Sequence, residues 1–157
     1  MLIRLATPDE ASILAEAWFR MFEEDGLMGS GAQPDWRGRL EGYFAASIRD
    51  GTHGWFVAEV DGRVAATGAG MLSVSPSALA FRDRQATVAG VYTWPQYRRR
   101  GYARAVTEAV VQWCRERGCV KIRLRAAEQA RTLYESLGFV PGSEMVLDLS
   151  GDAWPAP

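Results

Sequence analysis

The chain has one histidine, His53, and two cysteines, Cys114 and Cys119, in 157 residues. A single imidazole cannot build a multi-histidine metal site, and it leaves a histidine-based triad little to work with. Neither cysteine sits in CxxC or Cys/His spacing, so neither zinc nor a disulfide framework is indicated. Both read as small core residues in a reducing compartment. No apolar run approaches the length of a membrane span, and the first residues lack a basic patch followed by an apolar signal segment. The expectation is a cytoplasmic protein with no metal and no membrane partner.

Charge is nearly balanced, at −1 overall, but unevenly placed. Acids outnumber bases over the first sixty residues, whereas residues 82–104 hold six arginines against Asp83 alone. A non-specific nucleic-acid binder is usually basic throughout. A local basic spot in a slightly acidic chain suits a small anionic ligand better, so no nucleic-acid partner is expected.

Residues 2–6 alternate and read as a first strand. Thr7, Pro8, Asp9 and Glu10 form a capping box with proline at the first helical position. Leu14, Trp18, Met21 and Phe22 then fall on one helical face. The helix ends near Glu23, Glu24, Asp25 and Gly26, with acids where the dipole prefers cations. A glycine-rich loop over 26–33 leads to a second helix over 34–50. Trp36, Leu40, Tyr43, Phe44 and Ile48 form its buried stripe, and Gly51 stops it. Runs 55–60 and 63–74 are strand-like and joined by Asp61-Gly62, a favoured type I′ pair. His53 begins the first of these strands and reads as structural. Ser75-Pro76-Ser77 is expected to break the second, with a loop or short turn as far as Gln85. Residues 86–93 form another strand. The helix after it buries Ala103, Val106, Val110, Trp113 and Cys114 and ends at Gly118. A strand over 119–125, a short helix over 127–137 and one or two closing strands over 139–149 complete the order β-α-α-β-β-β-α-β-α-β. That is one α/β domain over residues 1–150 with a tail at 151–157. The strands ending at Thr93 and Arg125 flank a βαβ crossover and should run parallel.

The chain is organised around residues 91–108. A helix N-terminus carries partial positive charge and unpaired N–H groups, and it favours nearby acids. Here Arg98, Arg99, Arg100 and Arg104 crowd it, and the first acid is Glu108. A bound anion, with phosphate the usual one, would account for this arrangement. Gly101 would let the backbone approach it closely. The alternatives are a solvated basic turn and a nucleic-acid patch using Tyr97 and Tyr102 as stacking platforms.

Two motifs carry a resemblance. Arg98-Arg99-Arg100-Gly101-Tyr102-Ala103, after Val91-Tyr92-Thr93-Trp94-Pro95, fits a Q/R-x-x-G-x-G/A loop. Ala130-Arg131-Thr132-Leu133-Tyr134-Glu135-Ser136-Leu137-Gly138-Phe139 fits A-x-x-L-Y-x-x-x-G-F. With nearly the whole element order, they resemble the GNAT superfamily of acyl-CoA-dependent N-acetyltransferases. The resemblance implies a mixed, mostly antiparallel sheet of α/β (α+β) type, with a central parallel, splayed strand pair and helices on both faces. It implies acetyl-CoA as cosubstrate. The N–H groups of Arg99, Arg100, Gly101, Tyr102 and Ala103, with Arg98 and Arg104, would hold the pyrophosphate. Main-chain groups of Val91, Tyr92 and Thr93 would pair with the pantetheine arm, and the amide around Tyr92 would polarise the thioester. Tyr134 would be the general acid, since a phenol stays protonated at neutral pH. Many family members have asparagine seven residues before this tyrosine, where this chain has Ala127.

The implied reaction is direct acetyl transfer to a primary amine, on a small molecule or on a protein or peptide. A silent acyl-CoA sensor of the same fold and an enzyme for longer acyl chains are the alternatives. Residues 86–93 hold no acid to serve as general base, which leaves Glu24, Glu59, Glu144, Tyr92 and His53 as candidates. Glu23, Glu24 and Asp25 oppose the helix dipole and could attract a cationic amine to an acceptor site. An exposed closing strand could pair two chains into a homodimer.

Overall fold

The sheet grows outward from the Asp61-Gly62 turn, whose φ angles of 51° and 71° are those of a type I′ hairpin. In the computed structural model, which describes residues 1–26, 34–77 and 80–144, five strands follow: β1 (Leu2–Leu5), β2 (His53–Val60), β3 (Arg63–Ser77), β4 (Ala80–Thr93) and β5 (Lys121–Leu124). They lie side by side in that order. The first three pairings are antiparallel, and β4 pairs parallel with β5 through the expected crossover. Helices α1 (Ala11–Glu24), α2 (Trp36–Asp50), α3 (Tyr102–Glu116) and α4 (Arg131–Ser136) are the α-helices among the described residues.

Alternation along β2 shows why both faces are covered. Trp55 and Val57 point to one side, where Leu14 and Ala15 of α1 and Phe44 of α2 close over them. Gly54, Phe56 and Ala58 point to the other, beneath α3. A Cβ at Gly54 would lie 2.4 Å from the Trp113 ring, and one at Gly68 2.6 Å from Val106. These small residues let α3 sit close to the sheet. The capping box forms as expected: the Thr7 N–H donates to the Glu10 carboxylate at 2.9 Å. Glu10 also takes two bonds from Arg4, which reaches on to Glu59 and so ties β1, β2 and the start of α1 together.

Four expectations need correction. β3 does not break at Ser75-Pro76-Ser77, and no loop runs to Gln85, because β4 already begins at Ala80. A register shift between Ser75 and Ser77 removes Pro76, which has no N–H to give, from the ladder. Tyr43 is not part of the α2 stripe: it is 54% exposed, and its hydroxyl meets the His53 imidazole at 3.0 Å on the rim. The strand expected from Cys119 begins at Lys121. The end of α3 explains this, since the Cys119 N–H turns back to the Cys114 carbonyl at 3.0 Å and that of Gly118 to Arg115 at 2.9 Å, a Schellman closure. Residues 139–144 carry no regular structure where a closing strand was expected to start. The rest of that strand, the tail and most of the glycine-rich loop lie outside the described residues.

Candidate active site

β4 and β5 pair only as far as Val88 and Leu124, while β4 continues to Thr93 paired with β3 alone. The extra length opens a gap on the β5 side of residues 89–93. Within it lies a bulge. Thr67 pairs with Tyr92 but Ala69 pairs with Ala89, so Gly68 faces two residues, Gly90 and Val91. Gly90 has φ 61°, and the buried Thr67 hydroxyl donates to its carbonyl at 2.9 Å. The bulge resets the pleat. Val88 and Val91 both pack in the cluster beneath α3, which a regular strand forbids at a separation of three. Tyr92 is thereby turned toward α1.

The ladder also fixes which amides face the gap. The Trp94 N–H donates to the Ala65 carbonyl at 3.1 Å. With Ala66 opposite Thr93 and Thr67 opposite Tyr92, alternation gives the Tyr92 N–H to β3. The main-chain groups of Val91 and Thr93 are left on the gap side. The Thr93 hydroxyl is buried with no partner among the described residues.

A short 3-10 turn, Pro95–Tyr97, leads from β4 toward α3. Arg99 at φ 62° and Gly101 at φ 81° are both left-handed. No N–H from residue 99 to residue 104 finds an acceptor among the described residues; the first to do so is Ala105, which donates to Gly101 at 3.0 Å. Such a run of unpaired N–H groups at a positive helix end is an anion-binding nest. The arginine side chains divide. Arg99 and Arg100 are exposed and have no acidic partner among the described residues. Arg104 donates to Glu108 at 3.4 Å and to the Ser136 hydroxyl, which brings α4 against the start of α3. Arg98 turns to Glu24 on α1, donating at 2.8 and 2.7 Å, and its Nε donates to the Thr93 carbonyl at 2.9 Å. The Tyr92 hydroxyl donates to the same Glu24 carboxylate at 2.8 Å.

Tyr134 lies on α4, two residues before Ser136, and is 7% exposed with its ring edge-on to Phe139. Burial first, then the Asp25 charge, push its phenol up to about 12. Tyr92 is pushed up to about 12 by burial and by its bond to Glu24. Among the base candidates, Glu24 is taken by Arg98 and Tyr92, and Glu59 by Arg4. His53 is level with Met71 and Thr87, six residues or roughly 20 Å along the strand direction from Thr93 and two strands away from β4. Glu144 is exposed. Sequence reasoning missed the bulge, its Thr67 support and the bond between Glu24 and Arg98. Only the bulge left a signal, as an isolated glycine in a strand.

The buried acids of the core make stability fall at high pH. Tyr92, Tyr134 and Cys114 are all pushed up to about 12, from 10, 10 and 9, chiefly by burial. The folded state therefore holds these protons more tightly than the unfolded chain. Their contribution is complete below about pH 9 and lost as pH rises toward about 12. The urea midpoint should hold from pH 7 to 9 and decline steadily above that. A flat midpoint to pH 11 would contradict the burial of these groups.

The sequence matches the Acetyltransferase (GNAT) family over residues 14–139. No curated protein sequence matches the chain. Among solved structures it is similar to a predicted acetyltransferase from Clostridium acetobutylicum crystallised with acetyl-CoA, with a TM-score of 0.83 and 25% identity over 94% of this chain and 96% of that one. A GCN5-related N-acetyltransferase from Ralstonia eutropha JMP134 shares the fold with a TM-score of 0.82 and 22% identity, covering 96% and 99%. Glucosamine-6-phosphate N-acetyltransferase from Arabidopsis thaliana shares it at 0.69 and 19%, covering 96% and 98%. With a mixed five-stranded sheet, a parallel strand pair and a family match over most of its length, the chain belongs to the GNAT acetyltransferase family.

Proposed function

We propose that the protein transfers the acetyl group of acetyl-CoA to a primary amine by direct attack. The observation that carries this reading is the run of unpaired N–H groups over residues 99–104 beside an open β4 edge. Those amides, with Arg99 and Arg100, would hold a diphosphate. The main-chain groups of Val91 and the Thr93 N–H would take a pantetheine arm as an added strand, the Thr93 carbonyl being held by Arg98. Acetyl-CoA, when bound, supplies the activated thioester. The family resemblance implied an amide around Tyr92 as the group that polarises its carbonyl. Because the ladder gives that amide to Thr67, this reading moves the role to Val91 or Thr93. Tyr134 would give a proton to the departing sulfur.

Direct attack, without an acyl-enzyme, fits the cysteines. Cys114 is fully buried and its thiol is pushed up to about 12, the reverse of an activated nucleophile. Glu23 and Asp25 have no partner among the described residues and stand at the exposed end of α1. They would draw a cationic acceptor, whereas Glu24 is already neutralised. The free thiols Cys114 and Cys119 suit a reducing, cytoplasmic setting. No helix among the described residues is long and apolar enough to cross a membrane.

Calorimetry with coenzyme A, followed by an amine-panel assay of thiol release from acetyl-CoA, tests the proposal. At about a hundred times Kd the ligand should stabilise the fold by about 2.7 kcal/mol, roughly 5–10 °C for a chain of this size. Absence of coenzyme A binding would remove the reading.

A further inference from the structure

We propose that Glu24 is a positioning residue: through Arg98 and Tyr92 it clamps the end of α1 to the strand end that lines the gap. The inference rests on the acetyl-transfer reading for its catalytic consequence, though not for its geometry. Glu24 accepts from the Tyr92 hydroxyl at 2.8 Å and from Arg98 at 2.8 and 2.7 Å. Arg98 donates back to the Thr93 carbonyl at 2.9 Å, and its guanidinium carbon lies 5.6 Å from the centre of the Tyr92 ring. Since Tyr92 and Thr93 are joined by a peptide bond, the contacts close a ring around that peptide. The bulge at Gly90 is what turns the Tyr92 ring to this side.

The side chains of Glu24 and Arg98 are 43% and 40% exposed, and an ion pair that open adds little to folding. Its geometry is nonetheless specific, because one Arg98 nitrogen, Nη2, reaches both Glu24 oxygens while Nε reaches the Thr93 carbonyl. The ring fixes both peptide planes of Thr93, whose N–H faces the gap. It also holds the end of α1, where an acceptor would enter. The amides of residues 99–104 lie outside the ring, so anion binding should not depend on it.

Glu24→Gln keeps the size of the side chain but weakens the charged bonds, and Tyr92→Phe removes one arm. With acetyl-CoA and an accepted amine, Glu24→Gln should lower kcat about tenfold, since small misplacements at a reacting centre are costly. Affinity for inorganic pyrophosphate by calorimetry should stay within about threefold, because the nest of residues 99–104 is intact. Hydrogen exchange should quicken at the amides of Tyr92 and Trp94, which pair with β3, in both variants and stay unchanged in β2. A rise in the KM of the amine alone, with kcat and exchange unaltered, would overturn the clamp and make Glu24 a simple attractor of cations. If the wild-type chain bound no coenzyme A, the acetyl-transfer reading would fail, and exchange would still decide for or against the clamp.

Discussion

Tyr134→Phe should lower kcat about a hundredfold, the usual weight of a positioned general acid, and leave coenzyme A affinity within about threefold. The phenol is held protonated by burial and by Asp25, at about 12. A group so raised would be a poor proton donor to a thiolate in water. The comparison with water is the wrong one, because burial lifts a thiol as well: Cys114 in this same chain is pushed up to about 12. Burial around the leaving sulfur would raise its proton affinity in the same direction. The substitution should cost the fold less than about 1 kcal/mol, since it removes only the hydroxyl and keeps the buried ring. Turnover measured with saturating acetyl-CoA, beside the melting temperature of each variant, separates the two effects. Unchanged turnover would remove Tyr134 as the acid. Catalysis absent in the wild-type chain, with coenzyme A still bound, would favour a silent acyl-CoA sensor.

Gly90→Ala should destabilise the fold by about 2–5 kcal/mol, combining left-handed strain with overpacking. At φ 61° an L side chain crowds its own backbone. The added carbon would also lie 2.8 Å from the Trp55 ring and 3.1 Å from Trp18. Trp55 is 1% exposed and wedged edge-on against Phe44 and Trp18, so it has little room to yield. The alternative is to lose the bulge. That would turn Tyr92 away from Glu24 and swap the groups facing the gap, so acetyl transfer should be lost in whatever fraction remains folded. Urea unfolding of the two proteins gives the difference, and a value below about 1 kcal/mol would mean that the bulge is not braced as described.

The elements were legible because local physics decides them. The Asp61-Gly62 turn, the Thr7 capping box, the Gly51 and Gly118 stops and the inward face of α3 all act within a few residues. Their order was enough to imply the crossover and the parallel pair. The errors fell where a distant partner overrides local preference. Pro76 was tolerated because the facing strand slipped by one, and Tyr43 lies at the rim of the α2 stripe, where its phenol meets His53, ten residues on.

The site divides along the same line. The sequence alone determined the arginine loop, the glycine that opens α3 and the tyrosine of α4, since each depends on the residues beside it. Only the tertiary structure decided that Arg98 serves Glu24 across 74 positions, that Thr67 holds a bulge 23 positions away, and that Val91 and Thr93 rather than Tyr92 offer their amides to the gap. Those outcomes depend on strand register and on which face a side chain takes. A one-residue bulge reverses both, and no short stretch of sequence contains the opposite strand that measures it.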